Sequence, residues 1–189
     1  MSIYRLLREE TILLDNIDNI KKFNRELNKW DYGVLVNGKV YTKSSEIDWS
    51  KYKTIPIKDI EKYHVGICWD FVNYQHYYFK KNRINDESYF IVMAMSDNPN
   101  DIATHTFSII NIDGKKYWFE SSWYKNQGVH EVKSWKDVVD KFKESYDKSG
   151  KRDYEVYKYN PDGLDQNISN EEFFKRTTKN MIYKFNVKW

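Results

Sequence analysis

Apolar residues recur at helical spacing over residues 15–30, "DNIDNIKKFNRELNKW", where Ile17, Ile20, Phe23, Leu27 and Trp30 form one stripe. The pattern then shortens to the alternation of "YGVLVNGKVYT". Its Asn37-Gly38 pair is a two-residue turn signal, so this stretch predicts a hairpin. Residues 43–60 are polar, carry Pro56 and read as a connecting arm. Helical spacing returns over 67–80, where Cys68, Phe71, Val72, Gln75, Tyr78 and Phe79 share one broad face. Residues 88–95, "SYFIVMAM", predict a strand, and "SDNPND" a turn.

Two strand-like runs follow, "ATHTFSIINI" and "KKYWFESSW", separated by Asp113-Gly114. "KSWKDVVDKFKESYDKSG" predicts a third helix, with Ser134 as its cap, Asp137 in capping-box position and Gly150 as its end. "DYEVYKY" predicts a further strand, "NPDGLDQNIS" a loop, "NEEFFKRTTKN" a short helix and "MIYKFNVKW" a last strand. A helix first, then mostly strands with helices added, predicts an α+β domain around an antiparallel sheet. No linker interrupts this order, so residues 1–189 read as one domain.

The Asp113-Gly114 turn fixes a register. In a two-residue type I′ turn Ile112 pairs with Lys115, and Phe107 lies opposite Glu120. Side chains 105, 107, 109, 118, 120 and 122 then share one face. His105 and Glu120 become diagonal neighbours, with Cβ atoms roughly 7–8 Å apart, a span an imidazole and a carboxylate can bridge. A three-residue turn would slip the register by one and destroy the pairing. Glu120 stands in the aromatic run "YWFESSW", where a carboxylate needs a partner.

Composition narrows the chemistry. Aromatic residues make up 17% of the chain, enough to line a groove as well as a core, with "NYQHYYF" and "YEVYKY" the segments to inspect. Net charge is only +3, and the basic clusters "FKKNR" and "SGKRD" are short, which calls for no nucleic-acid partner. A single cysteine rules out an intramolecular disulfide or a thiolate-rich metal site, and fits a reducing compartment. Four scattered histidines without an HExxH pattern give no metal expectation, and no glycine pattern forms a phosphate loop. "MSIYRLLREETILLDN" carries charge throughout and no apolar core, so neither a signal peptide nor a membrane span is expected, and the cytoplasm is the expected location.

That single cysteine, Cys68, follows Gly66 closely and opens a predicted helix. Free backbone N–H groups and the helix dipole there favour a thiolate, and the same N–H groups can bind an oxyanion. Trp69 beside it can form a cleft wall, and Asp70 suits the first helical turn. Taken alone, Cys68 also reads as a small buried hydrophobe, and His105–Glu120 as a structural pair. His76 lies eight residues beyond Cys68, about 12 Å along a helix, too far to be its base. His76 reads as a surface or packing residue, and His130, in "NQGVHEV" just before a helix, as a local contact.

"GICWDFVNYQ", "YFIVMAM" and "THTFSIINIDGKKYWFESSW" together resemble the core of the transglutaminase-like superfamily, with its papain-like fold, over roughly residues 60–125. The resemblance implies Cys68 as nucleophile, His105 as base, Glu120 as the third member and Trp123 as the tryptophan that trails it. Glutamate replaces the family's usual aspartate, and the usual arginine and glycine are not evident in "ESYFIVMAM". The family's oxyanion side chain, often glutamine or tryptophan upstream of the cysteine, has only Tyr63 and His64 as candidates.

The implied fold is a papain-like α+β core with the cysteine helix packed on an antiparallel sheet. The implied activity is amide-bond chemistry through a thioester, first as a peptidase or amidase, with no cofactor and no metal. The alternatives are a protein transglutaminase or glutamine deamidase, and an inactive protein-binding domain on the same scaffold. The expected partner is a protein or peptide substrate, with no nucleic acid and no membrane. Trp69, Tyr63, His64 and Trp123 are the expected cleft residues.

Overall fold

In a computed structural model that describes residues 13–96, 98, 101–147 and 152–185, the stripe of residues 15–30 becomes helix α1 (Ile17–Leu27). Asn16 caps it by accepting the Asn19 backbone N–H at 2.9 Å, and Ile20, Phe23 and Leu27 are buried along one face. A two-residue strand β1 (Asp31–Tyr32) follows. Strands β2 (Val34–Val36) and β3 (Lys39–Tyr41) then pair around Asn37-Gly38, whose φ angles of 52° and 77° suit the expected tight turn.

The arm expected over residues 43–60 is not a plain connector. It contains a 3₁₀ turn (Ser44–Glu46) and runs into helix α2 (Ile57–Tyr63), which Pro56 directly precedes, while Tyr52, Thr54 and Ile55 are fully buried. Proline is favoured at a helix start because the N–H it lacks would go unpaired there. After strand β4 (Val65–Gly66) comes helix α3 (Cys68–Lys81), the cysteine helix, starting one residue later than the pattern predicts.

The main sheet has six antiparallel strands in the order β10-β9-β5-β6-β7-β8. They are β5 (Asn85–Ala94), β6 (Ile102–Ile112), β7 (Lys115–Glu120), β8 (Gly128–Val132), β9 (Tyr154–Tyr159) and β10 (Met181–Phe185). "NQGVHEV" does lie just before a helix, and within it β8 forms an edge strand on β7 that the sequence pattern does not predict, with Trp118 opposite His130. Helix α4 (Trp135–Tyr146) starts at Ser134, and the Asp137 carboxylate accepts the Ser134 N–H in the expected capping box. Asp147 caps its other end; Gly150, expected there, lies outside the described residues, as do the first twelve residues and parts of "SDNPND". Helix α5 (Asn170–Thr177) follows β9.

Alternation along the strands separates two cores. On one face Phe90, Ile110 and Phe119 meet α1, α3 and α5; on the other Ile91, Phe107, Ile109 and Trp118 meet Val138, Val139 and Phe142 of α4. Each large apolar side chain buried this way is worth about 2–3 kcal/mol of transfer free energy. The cysteine helix is therefore packed on an antiparallel sheet in an α+β fold, as expected. Among the described residues, no helix is long and apolar enough to cross a membrane.

Candidate active site

The turn between β6 and β7 has the two-residue form. Asp113 and Gly114 both take positive φ, 52° and 76°, and the ladder runs from Ile112↔Lys115 to Ser108↔Phe119. The register is the one calculated from the sequence. It places His105 Nε2 2.7 Å from Glu120 Oε2 on the face that carries Phe107, Ile109 and Trp118.

Both groups are buried, and each answers the other's charge. Burial alone would raise the Glu120 carboxyl, but the His105 ring, the Trp123 N–H and Ser122 outweigh it and hold the pKa below the usual range. Oε1 of Glu120 accepts the Ser122 N–H at 2.7 Å, the Ser122 hydroxyl at 2.9 Å and the Trp123 N–H at 2.8 Å. Burial alone would lower His105, but the Glu120 carboxylate and Cys68 overcome it and push the ring up to about 10. The pair is thus an imidazolium and a carboxylate at neutral pH. α1 reaches the same corner, where Asn24 Nδ2 donates to the Glu120 main-chain oxygen at 2.7 Å.

Cys68 is the first residue of α3 and is nearly buried. It is near enough to His105 to act on the ring, whose pKa it helps to raise. Since Glu120 occupies Nε2, Nδ1 is the ring nitrogen left for the thiol. The helix start is held by Asp70, whose carboxylate accepts the Tyr52 hydroxyl at 2.7 Å, the Ile55 N–H at 2.7 Å and the Ile67 N–H at 3.0 Å. The side chain of Asp70 also explains Gly66: a Cβ there would stand 2.9 Å from Asp70 Cβ. Burial pushes the Asp70 carboxyl up to about 7, against the pull of its three donors.

The other sequence candidates separate. Trp123 lines a cavity of about 240 Å³ with Tyr32, Thr104, His105 and Tyr146. Trp69, expected as a cleft wall, is instead buried and stacked on Phe173 with ring centroids 3.9 Å apart, because the second residue of α3 faces α5. His64 takes the left-handed conformation that ends α2, with its ring against Trp30 at 4.9 Å, and Tyr63 packs beside the first core cluster. Neither lines the cavity beside His105. His76 bridges Asp86 at 2.8 Å and Asp162 at 3.2 Å, and His130 Nε2 donates to the Asn126 carbonyl at 2.8 Å. Among the described residues, no group of three or more His, Cys, Asp or Glu is arranged to hold a metal ion.

Sequence reasoning missed Tyr32. β1 runs parallel to β4, with Tyr32 opposite Gly66, Asp31 N–H donating to the His64 carbonyl at 2.9 Å and Gly33 N–H to the Gly66 carbonyl at 3.1 Å. This brings Tyr32 near Cys68, and burial together with the thiol pushes its phenol up. A two-residue parallel bridge leaves no periodicity in the sequence, so no local signal marks it.

No protein-family model and no curated protein matches the chain. Among solved structures, it is similar to the catalytic domain of the Salmonella virulence factor SseI, with a TM-score of 0.39 and 14% identity over 50% of this chain and 60% of that one. It is also similar to the NAT3 arylamine N-acetyltransferase of Bacillus cereus, described as having a unique Cys-His-Glu catalytic triad. There the TM-score is 0.43 and the identity 12%, over 64% of this chain and 46% of that one. The chain therefore spans less than two thirds of the length of either structure.

Proposed function

We propose that this protein is a cysteine-dependent enzyme of the transglutaminase-like, papain-like type, hydrolysing an amide bond in a protein or peptide through a thioester on Cys68. One observation carries the reading: a cysteine at the first position of a helix lies within reach of a histidine whose other nitrogen is held at 2.7 Å by a buried carboxylate. A buried structural cysteine needs no such neighbour.

The steps follow from the charges. In the resting site the thiol proton already sits on His105 Nδ1, so sulfur and ring form a thiolate–imidazolium pair, and the Glu120 carboxylate stabilises the imidazolium. The thiolate attacks the amide carbonyl carbon, and the carbonyl π electrons move onto oxygen, which the N–H groups of the first turn of α3 stabilise. When the tetrahedral intermediate collapses, the C–N bond breaks and the leaving nitrogen takes the proton from His105. Water, deprotonated by the ring now neutral, then attacks the thioester, and the Cys68 thiolate leaves beside the reprotonated imidazolium. Among the expected activities hydrolysis is preferred, because it needs only water as the second reactant. Glutamine deamidation and transfer to a lysine amine share every step up to the thioester.

Alkylation of Cys68 by iodoacetamide, read by peptide mass, tests the activated thiol. At about pH 7, His105→Ala is expected to slow it by about tenfold or more, since a free thiol is only a few per cent ionised there. Equal rates in the two proteins would remove the reading. Mass spectrometry of peptides incubated with the protein then sorts the outcomes into fragments, deamidated glutamine or cross-links.

A further inference from the structure

His76, read from the sequence as a surface or packing residue, is held at both ring nitrogens. Nδ1 lies 2.8 Å from Asp86 Oδ2, at the start of β5, and Nε2 lies 3.2 Å from Asp162 Oδ1, in the loop between β9 and α5. Asp86 is nearly buried, with 6% of its side chain exposed, whereas Asp162 is half exposed. Lys80, one helical turn beyond His76, also donates to Asp162 Oδ1, at 2.8 Å. The loop has its own internal bonds. The Asn160 side chain accepts the Asp162 N–H at 3.0 Å, the Pro161 carbonyl accepts the Leu164 N–H at 2.9 Å, and Arg176 of α5 donates to the Gly163 carbonyl at 3.3 Å. Between this loop and α3 lies a cavity of about 500 Å³. The titratable groups that line it beside His76 are Tyr77, Lys80 and Lys81 from α3 and Asp162 and Asp165 from the loop, and Asp86 meets the ring from β5.

Two carboxylates on one imidazole need two N–H groups, and only the cation has both. A neutral ring has one N–H, so its other nitrogen turns a lone pair on a carboxylate. Asp86 is the nearer and more buried acceptor, where an unpaired charge costs more, so it keeps the N–H. Asp162 then loses its bond and meets the lone pair. We propose that Asp86, His76 and Asp162 form a pH-sensitive clasp, closed while the ring is a cation, that ties the 160–165 loop to the cysteine helix and releases it when the ring loses its proton. Partial burial would lower the ring's pKa, but the bonds to Asp86 and Asp162 outweigh it and hold it above 6.5, so release falls on the alkaline side of that value. Lys80 remains on Asp162 after release, as a solvent-exposed pair that holds the loop only weakly. Leu164, the buried anchor of the loop, belongs to the same core cluster as Trp69 and Cys68, so the clasp bears on the packing around the nucleophile.

Two readouts on the intact protein test the clasp, and neither depends on activity. In a pH titration followed by NMR, the His76 ring should titrate above 6.5 and, once neutral, carry its proton on Nδ1. Exchange protection of the Leu164 N–H, corrected for the pH dependence of unprotected amides, should fall about tenfold across the same midpoint, the size of one bond to a charged group. His76→Gln has no proton to lose and should show no such step. Asp162→Asn alters a half-exposed side chain and leaves the buried Asp86–His76 pair in place. It should fold normally, lower the His76 midpoint and shrink the loop's step to less than about threefold. A wild-type His76 midpoint at or below 6.5, a neutral ring protonated at Nε2, or Leu164 protection that does not follow the ring would each overturn the clasp. So would a step of wild-type size in either variant, since another group would then be its source.

Discussion

Glu120 and Asp70 are both fully buried carboxylates within reach of the same cysteine's surroundings, and they titrate in opposite directions. Glu120 sits on the hairpin and accepts three bonds from Ser122 and Trp123, plus the His105 ring. Asp70 sits at the start of α3 and accepts from Tyr52, Ile55 and Ile67. The donor counts are close. The difference is that Glu120 has a cation and Asp70 has only neutral partners. Neutral donors reduce the cost of burying a carboxylate, but an opposite charge in low dielectric reverses it. One corner of the site therefore holds a charge pair, and the other a carboxyl held by neutral donors alone.

Exchanging the cation's partner for a neutral one breaks the comparison most severely. In Glu120→Gln the Oε1 donors remain, so the new amide N–H₂ must face His105 Nε2. That nitrogen then has to accept, so the ring is held neutral with its one proton on Nδ1 and cannot take the thiol's proton. The expected result is a fall of about 10³–10⁴-fold in turnover with the hairpin intact, the cost of a wrong tautomer in a triad. Peptide hydrolysis or the ester burst measures it, and a change smaller than tenfold would make Glu120 a structural residue only.

The Asp70 knot gives the next largest effect, in stability. In Asp70→Asn one amide nitrogen must point at the Ile55 or the Ile67 N–H, a donor facing a donor. A loss of about 3 kcal/mol is expected in urea unfolding. The pH dependence carries the sharper contrast. The folded pKa of Asp70 is raised from 3.8 to about 7, so its contribution to stability is full below 3.8 and is lost as pH rises through about 7. The deficit of Asp70→Asn should accordingly narrow between about pH 4 and pH 7. Glu120 is lowered from 4.5, so its contribution is full above 4.5 and is lost as pH falls through its folded value. The deficit of Glu120→Gln should narrow towards acid instead. His105, raised from 6.5 to about 10, adds stability that is full below 6.5 and lost towards pH 10. Parallel pH profiles in the two carboxylate variants would refute the assignment of the cation to one corner alone.

These two corners were not equally legible in the sequence. The hairpin was legible because a two-residue turn marked by Asp113-Gly114 fixes every pairing after it, and a two-residue period then decides which side chains share a face. His105 and Glu120 could be paired by arithmetic. The helix start was only half legible. Spacing placed Cys68 at its beginning, but nothing local showed that Asp70 would turn back onto Tyr52 and Ile55, or that Tyr32 would arrive from a strand 36 positions earlier. Those contacts join segments whose own patterns are short or polar. The 43–60 arm looked idle for that reason, although Tyr52 and Ile55 are among its buried residues. Strand β8 escaped because it is a sheet edge with mostly half-exposed side chains, which blurs the alternation.

Gly66→Ala tightens the knot without removing any hydrogen bond. The added methyl would stand 2.9 Å from Asp70 Cβ, in a stretch already bonded to β1. Either the helix start or the β4 segment must shift, with an expected loss of about 2 kcal/mol. Because Asp70 keeps its three donors in kind, the narrowing with pH described for Asp70→Asn should not appear, and the deficit in urea unfolding should be nearly flat across the same range.

The mildest change asks how much the neutral donors at Glu120 contribute once the cation is in place. Ser122→Ala removes only the hydroxyl, which donates to Oε1 at 2.9 Å, and leaves the Ser122 and Trp123 N–H groups on the same oxygen. With His105 still at Oε2, the carboxylate stays ionised and oriented. A loss of about 1 kcal/mol in stability and less than tenfold in turnover is expected. If the cation is what separates Glu120 from Asp70, this variant must behave like wild type in its pH profile of stability, with the acid limb moved only slightly upward. A shift as large as that of Glu120→Gln would mean that hydroxyl and backbone donors, and not the ring, hold the charge. The two buried carboxylates would then differ in donor geometry rather than in the sign of their partner.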